Sequence, residues 1–327
     1  MSDHQKRQKR WLRLAVHLAV LVLITWGVGR TILDAIDELK EYSVRLSPSW
    51  LITAGGLYLL GLLPMGLFWH RTLIAMGQRP GVPETLRAFY IGHIGKYVPG
   101  KVMVVVLRTG MLRSQRVQTS LAAATVFLET LTMMAVGAFL AAVMLCFWLR
   151  NYLQEHDYLL PLAIGLLLLA GLPTLPPVFR LLVQRLGVAR GDPQLESKLR
   201  AINFRLMALG WVAVAVGWLL LASSLWAVMR AMDIDGLQGV AHLPFYVAAV
   251  TLAVVAGFLS LIPGGVLVRE MILTAVLGEI YFGMVLGIPL ADGTALAVAV
   301  VLRLIWLAAE VLLALLLYFL KGQRPDG

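Results

Sequence analysis

The chain has little charge and almost no cysteine. Charged residues make up 14% of its 327 residues and hydrophobic residues 60%, whereas a soluble domain carries roughly 25% charged residues. The single cysteine, Cys146, excludes an internal disulfide and any zinc site that needs a cysteine pair. This composition excludes an ordinary soluble domain and predicts an integral membrane protein.

Common catalytic signatures are also missing from the sequence. The six histidines show no metal-ligand spacing, and the chain has neither an HExxH sequence nor a glycine-rich Walker loop. We therefore expect no enzyme activity, no metal and no cofactor. Transport driven by ATP hydrolysis within this chain is not expected either.

The net charge of +10 follows membrane topology rather than nucleic-acid binding. Basic residues precede the first apolar run and fill the stretches after the second and fourth runs, whereas the other links are mixed or acidic. Because cytoplasmic loops of membrane proteins are enriched in lysine and arginine, we expect both termini in the cytoplasm and the protein in the cell inner membrane. No nucleic-acid partner is expected.

Eight apolar runs approach the roughly 17–25 residues that span a bilayer. They lie near Leu14–Leu33, Trp50–Trp69, Ser120–Leu149, Tyr158–Leu175, Leu206–Met229, Leu243–Ile262, Met271–Gly287 and Ala295–Leu320. The fold class predicted is all-α, a polytopic membrane protein of about eight spans. We expect one membrane domain over 1–327, with pseudo-repeated halves at about 10–175 and 206–320 joined by a basic cytoplasmic loop at 176–205.

Two proline–glycine pairs, Pro99-Gly100 and Pro263-Gly264, interrupt apolar stretches, one in each half. Proline removes a backbone donor and glycine frees the backbone, so each pair interrupts a helix. At membrane depth an interrupted helix needs a protein environment or a wet cavity. Paired interruptions in corresponding positions of two halves therefore indicate a transport or binding site.

The segments around the breaks allow more than one structure. Pro83–Arg113 fits a re-entrant hairpin whose first helix starts near Pro83 and Glu84, or an amphipathic helix on the inner membrane surface. Leu261–Glu270 fits a re-entrant tip or a tight turn between two helices.

Three motifs around these breaks resemble one known family. They are GHIGKYVPGKV at 92–102 with Arg108 after it, VFLE ending at Glu129, and PGGVLVRE ending at Glu270. Together they resemble the lysylphosphatidylglycerol synthase transmembrane-region family, over roughly residues 10–320. The third motif departs from the family pattern at Leu267, where a glycine is common.

The resemblance implies a flippase-like membrane domain that handles lipids. In the lysyl-lipid branch this domain is thought to move an aminoacylated phospholipid between leaflets, and other branches are associated with polyprenyl-linked glycans or hopanoids. Aminoacyl transfer belongs to a separate soluble domain in that branch. The sequence given ends at Gly327, so we expect a stand-alone membrane part without synthase activity.

The candidate substrate-binding residues are the charged, aromatic and break-forming residues of these segments. They are Lys96, Tyr97, Pro99, Gly100, Lys101, Arg108, Glu129, Pro263, Gly264, Gly265, Arg269, Glu270, Arg303 and Glu310. Lys101 and Arg269 are expected to hold a phosphate. For Lys96, Lys101 and Arg108, positive-inside anchoring explains the charge nearly as well, and an interfacial aromatic is the common role of Tyr97.

The intramembrane carboxylates need partners or a function. Glu129 supplies a proton or counter-charge, or it neutralises either Arg303 or a basic residue of the hairpin. Arg303 and Glu310 share one face of the last helix about two turns apart, so each is expected to find its partner on another element.

The sequence thus favours a lipid flippase that binds an anionic or polyprenyl-linked lipid. One alternative is a non-transporting accessory subunit of an envelope glycosyltransferase or lipid synthase. The other is a membrane-embedded lipid transferase.

Overall fold

The computed structural model describes residues 46–98, 102–112, 117–147, 158–185, 198–234, 236, 239, 241–260, 262, 265, 267–287 and 291–320. The first predicted span, Leu14–Leu33, lies outside these residues. So do five of the predicted site residues, Pro99, Gly100, Lys101, Pro263 and Gly264.

Every regular element of this described part is helical, which confirms the all-α fold class. The α-helices are α1 Pro48–Ala75, α2 Val82–His93, α3 Val102–Leu112, α4 Thr119–Phe147, α5 Leu159–Gly171, α6 Pro176–Arg185, α7 Phe204–Ala231, α8 Leu243–Leu259, α9 Val268–Leu273 and α10 Ala291–Leu320. A 3₁₀ turn at Ile94–Tyr97 follows α2, and a second at Leu172–Thr174 follows α5.

Four of these helices, α1, α4, α7 and α10, are long and apolar enough to cross a membrane. Each contains 28 to 30 residues, which at 1.5 Å per residue exceeds a hydrocarbon core of about 30 Å. They correspond to the second, third, fifth and eighth predicted runs. The total of eight spans stays a prediction.

The fourth predicted run, Tyr158–Leu175, forms α5 and the 3₁₀ turn after it. The chain then bends by 75° into α6. Three prolines, Pro173, Pro176 and Pro177, surround the bend, and each lacks the backbone donor that a continuous helix needs. The predicted loop at 176–205 therefore begins with a ten-residue helix. Together α5 and α6 have the length and composition of one broken span or of a re-entrant loop.

The seventh predicted run is less regular than expected. Its α-helix ends at Leu273 and continues as a π-helix over Thr274–Val285. Long π-helical stretches are rare, and short ones are frequent at functional sites.

Glycines and shared hydrogen bonds hold the long helices together. A Cβ at Gly61 of α1 would lie 2.9 Å from the carbonyl oxygen of Gly217 in α7, so only small residues permit this approach. Ser224 of α7 donates to the Ala54 carbonyl of α1 at 2.8 Å and accepts from Trp306 Nε1 of α10 at 2.9 Å. These contacts fix α1, α7 and α10 around one core.

Two helical hairpins insert into this core, one at each proline–glycine break. In hairpin A (82–112), α2 and α3 flank the break, and a Cβ at Gly95 would lie 2.7 Å from the backbone nitrogen of Val104. Ala88 and Phe89 of α2 are fully buried, so α2 packs into the bundle rather than lying flat on its surface. Hairpin B (243–273) pairs α8 with α9 in the same manner.

The start of α2 follows the sequence prediction closely. The Glu84 carboxylate accepts a hydrogen bond from the Gly81 backbone nitrogen at 3.1 Å, one residue before the helix begins. Pro83 occupies the first turn, where a missing donor costs nothing. The depth of the hairpin in the bilayer stays a prediction.

Candidate functional site

The two hairpins present their arginines in the same way. In hairpin A a Cβ at Gly92 would overlap the Arg108 side chain, and in hairpin B a Cβ at Gly257 would overlap that of Arg269. A glycine on the first arm thus leaves room for an arginine on the second. Both arginines lie near aromatic rings, with Arg108 Cζ 4.1 Å from the Phe89 ring centroid and Arg269 Cζ 5.3 Å from that of Trp306.

Glu129 of α4 pairs with Arg108 of hairpin A. Arg108 Nη1 donates to Glu129 Oε2 at 2.6 Å, and both side chains are almost completely buried. The predicted pair between Glu129 and Arg303 is therefore wrong. The alternative, a basic residue of the hairpin, is correct, because α3 precedes α4 closely in the chain and packs directly on it.

Arg303 of α10 pairs with Glu270 at the start of α9 instead. Arg303 Nη1 donates to Glu270 Oε1 at 3.2 Å. This pair fastens hairpin B to the last long helix, and neither of its residues lines the cavity described below.

Glu310 of α10 lies at the centre of a polar cluster, which comprises Tyr58, His93, Lys96 and Glu310. Its Oε1 accepts hydrogen bonds from both Tyr58 OH and Lys96 Nζ. His93 Nε2 lies 3.8 Å from the same oxygen and 3.4 Å from Tyr58 OH. As predicted, Arg303 and Glu310 each find a partner on another element.

Two members of this cluster were not predicted from the sequence. His93 lies within the first family-like motif and was passed over because it has no metal-ligand spacing. Tyr58 carries no local signal, since it is one aromatic residue within an apolar helix. Its ring stacks on Trp306 at 4.5 Å between centroids, a contact that only the packing of α1 against α10 creates.

A cavity of about 340 Å³ lies between the two hairpins and α4. Its polar lining comprises Tyr58, His93, Lys96, Arg108, Glu129, Thr130 and Arg269, and most of the remaining lining is aliphatic or aromatic. Val102 and Phe127, at its edge, are 62% and 56% exposed. The cavity therefore reaches the surface of the described part beside these two apolar residues, one on α3 and one on α4.

Among the described residues, the charges around the cavity do not balance. Three cations are matched by three carboxylates, in the pairs Arg108–Glu129, Lys96–Glu310 and Arg303–Glu270. Arg269 has no carboxylate within 4 Å among the residues that the structure describes. Nε of Arg108, which is buried, likewise has no acceptor within that part of the chain.

The structure gathers some of the predicted site residues and separates others. Lys96, Arg108, Glu129, Gly265 and Arg269 all line the cavity. Glu270, Arg303 and Glu310 lie behind its wall, as ion-pair partners. Tyr97 is buried next to Lys96, whose Nζ lies 5.2 Å from its ring centroid.

The fold and the cavity define a multi-pass helical membrane protein whose two interrupted segments enclose an amphipathic site. The family model of the lysylphosphatidylglycerol synthase TM region matches residues 10–314, and the chain belongs to this family. The resemblance seen in the motifs is thereby confirmed. No curated protein matches the chain.

Proposed function

We propose that the protein binds a lipid with an anionic phosphate in this cavity and moves it between the leaflets of the inner membrane. The observation that carries the proposal is Arg269, an arginine that lines the cavity and has no carboxylate partner in the described residues. An unbalanced cation inside a membrane protein is costly unless a ligand or water compensates it. A phosphate suits the guanidinium because it accepts two parallel hydrogen bonds.

The shape of the cavity supports a lipid rather than a soluble anion. The exposed mouth residues Val102 and Phe127 are apolar, so an acyl or polyprenyl chain can stay in the bilayer while the headgroup enters between α3 and α4. A volume of about 340 Å³ is at the low end of ligand pockets, which occupy about 300–1,000 Å³. It suits a headgroup but not a whole lipid.

In this proposal the chain acts as a transporter and not as an enzyme. The two arginines held by glycines, Arg108 and Arg269, face the cavity from opposite hairpins. The headgroup passes between the hairpins. The basic loops face the cytoplasm.

The test is lipid movement in proteoliposomes. The purified protein is reconstituted with a phosphatidylglycerol that carries a fluorophore on its acyl chain, and the fraction accessible to an impermeant quencher is followed over time. Arg269→Gln should slow movement and lower the amount of anionic lipid that co-purifies, as measured by mass spectrometry.

Arg230→Gln is the matched control. Arg230 Cζ lies 5.6 Å from the Trp50 ring centroid, an environment similar to that of Arg269, but Arg230 is exposed at the end of α7 and does not line the cavity. Equal slowing of lipid movement in Arg269→Gln and Arg230→Gln would contradict the proposal. It would also be contradicted if mass spectrometry found only bulk membrane lipid in both the wild type and Arg269→Gln. The same assay with a polyprenyl phosphate distinguishes the two lipid classes.

A further inference from the structure

We propose that Glu310 takes up one proton when an anionic lipid occupies the cavity, with Lys96 exchanging from Glu310 to the lipid phosphate. The inference rests on the proposed lipid binding and names how that binding is coupled to protons. It places the coupling carboxylate behind the cavity wall, at Glu310, rather than at Glu129, which the sequence favoured.

Lys96 is the residue that connects the cavity to Glu310. Its Nζ donates to Glu310 Oε1 and lies 3.2 Å from Tyr58 OH, yet the side chain is 23% exposed and lines the cavity. An entering phosphate therefore competes directly with Glu310 for the same ammonium group. Arg108 differs, because it and Glu129 are both almost completely buried and α3 and α4 hold them together.

His93 supplies the route for the proton. It lines the cavity, and its Nε2 lies 3.8 Å from Glu310 Oε1 and 3.4 Å from Tyr58 OH. A proton that reaches the imidazole from the aqueous phase can pass to Glu310 directly or through the Tyr58 hydroxyl. Histidine suits this step because its two ring nitrogens can accept a proton on one side and release one on the other.

Glu310 is prepared to accept the proton once Lys96 leaves. Its Oε2 has no hydrogen-bond partner in the described part of the chain, and the side chain is buried. A buried carboxylate that loses its cation is costly in its charged form. Protonation removes that cost.

The titratable and charged groups around Glu310 lie on four neighbouring elements. They are Tyr58 of α1, His93 of α2, Lys96 and Tyr97 of the 3₁₀ turn, and Arg269 at the start of α9. Tyrosine and arginine side chains ordinarily keep one protonation state around neutral pH, which leaves His93, Lys96 and Glu310 as the groups that exchange protons or partners.

The charges balance over the cycle. In the empty state Lys96 and Glu310 form a pair and Arg269 is the excess cation. In the occupied state Lys96 and Arg269 hold one phosphate and Glu310 is neutral, so one anion and one proton enter together. Because linkage is reciprocal, acidification must strengthen lipid binding and lipid binding must take up a proton.

Calorimetry on the full chain in neutral phosphatidylcholine nanodiscs tests this coupling. Short-chain phosphatidylglycerol is titrated in two buffers of different ionisation enthalpy, so that the difference in heat reports the number of protons taken up. A parallel series uses a short polyprenyl phosphate. We expect uptake approaching one proton per bound lipid. The affinity for lipid should fall as the pH rises. For one linked proton the fall is at most about tenfold per pH unit.

Glu310→Gln should still bind lipid but lose both the proton uptake and the pH dependence. Glu270→Gln, which alters the buried carboxylate paired with Arg303 outside the cavity lining, should keep both. A second variant, His93→Gln, leaves the Lys96–Glu310 pair in place and should slow proton uptake in a stopped-flow experiment with a pH indicator.

The outcomes separate the two proposals. Lipid binding by the wild type without proton uptake would overturn the coupling and leave the proposed function standing. Proton uptake that persists in Glu310→Gln, or an unchanged rate in His93→Gln, would also overturn it. Failure of either lipid to bind the wild type would remove the proposed function, and the coupling with it.

Discussion

Arg108 on α3 donates a hydrogen bond to Glu129 on α4 at 2.6 Å, and the two side chains are only 2% and 1% exposed. This ion pair joins the second arm of hairpin A to a long membrane-crossing helix. It also closes one side of the cavity, because both residues line it. Its integrity should therefore affect stability as well as lipid binding.

The first prediction concerns the free energy of unfolding. Removing one partner of a buried ion pair leaves an uncompensated charge, which costs about 3–5 kcal/mol. Arg108→Met should lower stability by that order, and Glu129→Gln by less, because the amide oxygen still accepts from the arginine. The double variant Arg108→Met with Glu129→Gln should lose less than the sum, as measured by denaturant unfolding in detergent. Strict additivity would show that the pair is not coupled.

The second prediction concerns the glycines of hairpin A. A Cβ at Gly92 would overlap the Arg108 side chain, whereas a Cβ at Gly110 has open space. Gly92→Ala should therefore destabilise by about 1–3 kcal/mol through overpacking. Gly110→Ala, its control on the same hairpin, should stabilise by about 0.5–1 kcal/mol because glycine is unfavourable within a helix.

Thermal unfolding of the two variants measures this contrast. An equal change in both would mean that close approach of the two arms contributes nothing to stability.

The third prediction concerns Leu267, which stands where glycine is common in the family. Its φ of 67° and ψ of −48° lie in a region that L-residues rarely adopt, and such strain costs about 1–3 kcal/mol. The side chain is 65% exposed, so its removal loses little packing. Leu267→Gly should raise the melting temperature.

Gly265→Ala is the converse of this change. Gly265 has a φ of 70°, and a Cβ there would lie 2.9 Å from Cδ of Arg269. This variant should lower the melting temperature and disturb Arg269. A melting temperature that falls in Leu267→Gly would contradict the strain at this position.

The fourth prediction concerns the mouth of the cavity. Val102→Trp adds bulk between α3 and α4 and should slow lipid movement about tenfold, equivalent to about 1.4 kcal/mol in the barrier. Ile52→Trp is the control, because Ile52 is exposed on α1 and does not line the cavity. The quenching assay should separate the two variants while their thermal stabilities stay similar. Unchanged movement in Val102→Trp would show that the headgroup enters elsewhere.

Several features were predictable because they depend on local chemistry. The four long helices were predicted from apolar runs that are long enough to cross a bilayer. The start of α2 near Pro83 and Glu84 was predicted from helix capping. The helices of each hairpin lie on either side of a proline–glycine pair in the sequence, while the interruption at the pair itself stays a prediction.

The partner of each charge was not predictable in this way. The sequence left two possible partners for Glu129. It pairs with Arg108 and not with Arg303, because α3, and not α10, packs against that face of α4. Tyr58 and His93 were not predicted for the same reason. Both contact Glu310, from which they lie 252 and 217 positions away in the chain, respectively.

The sequence by itself thus determined the membrane environment, the helical class and the family. These depend on composition and on short-range backbone preferences. Only the tertiary structure decided which carboxylate neutralises which cation, that Arg269 has no carboxylate partner in the described residues, and that the cavity reaches the surface of the described part beside Val102 and Phe127. Those properties depend on side-chain distances across helices, and distance along the chain carries no information about them.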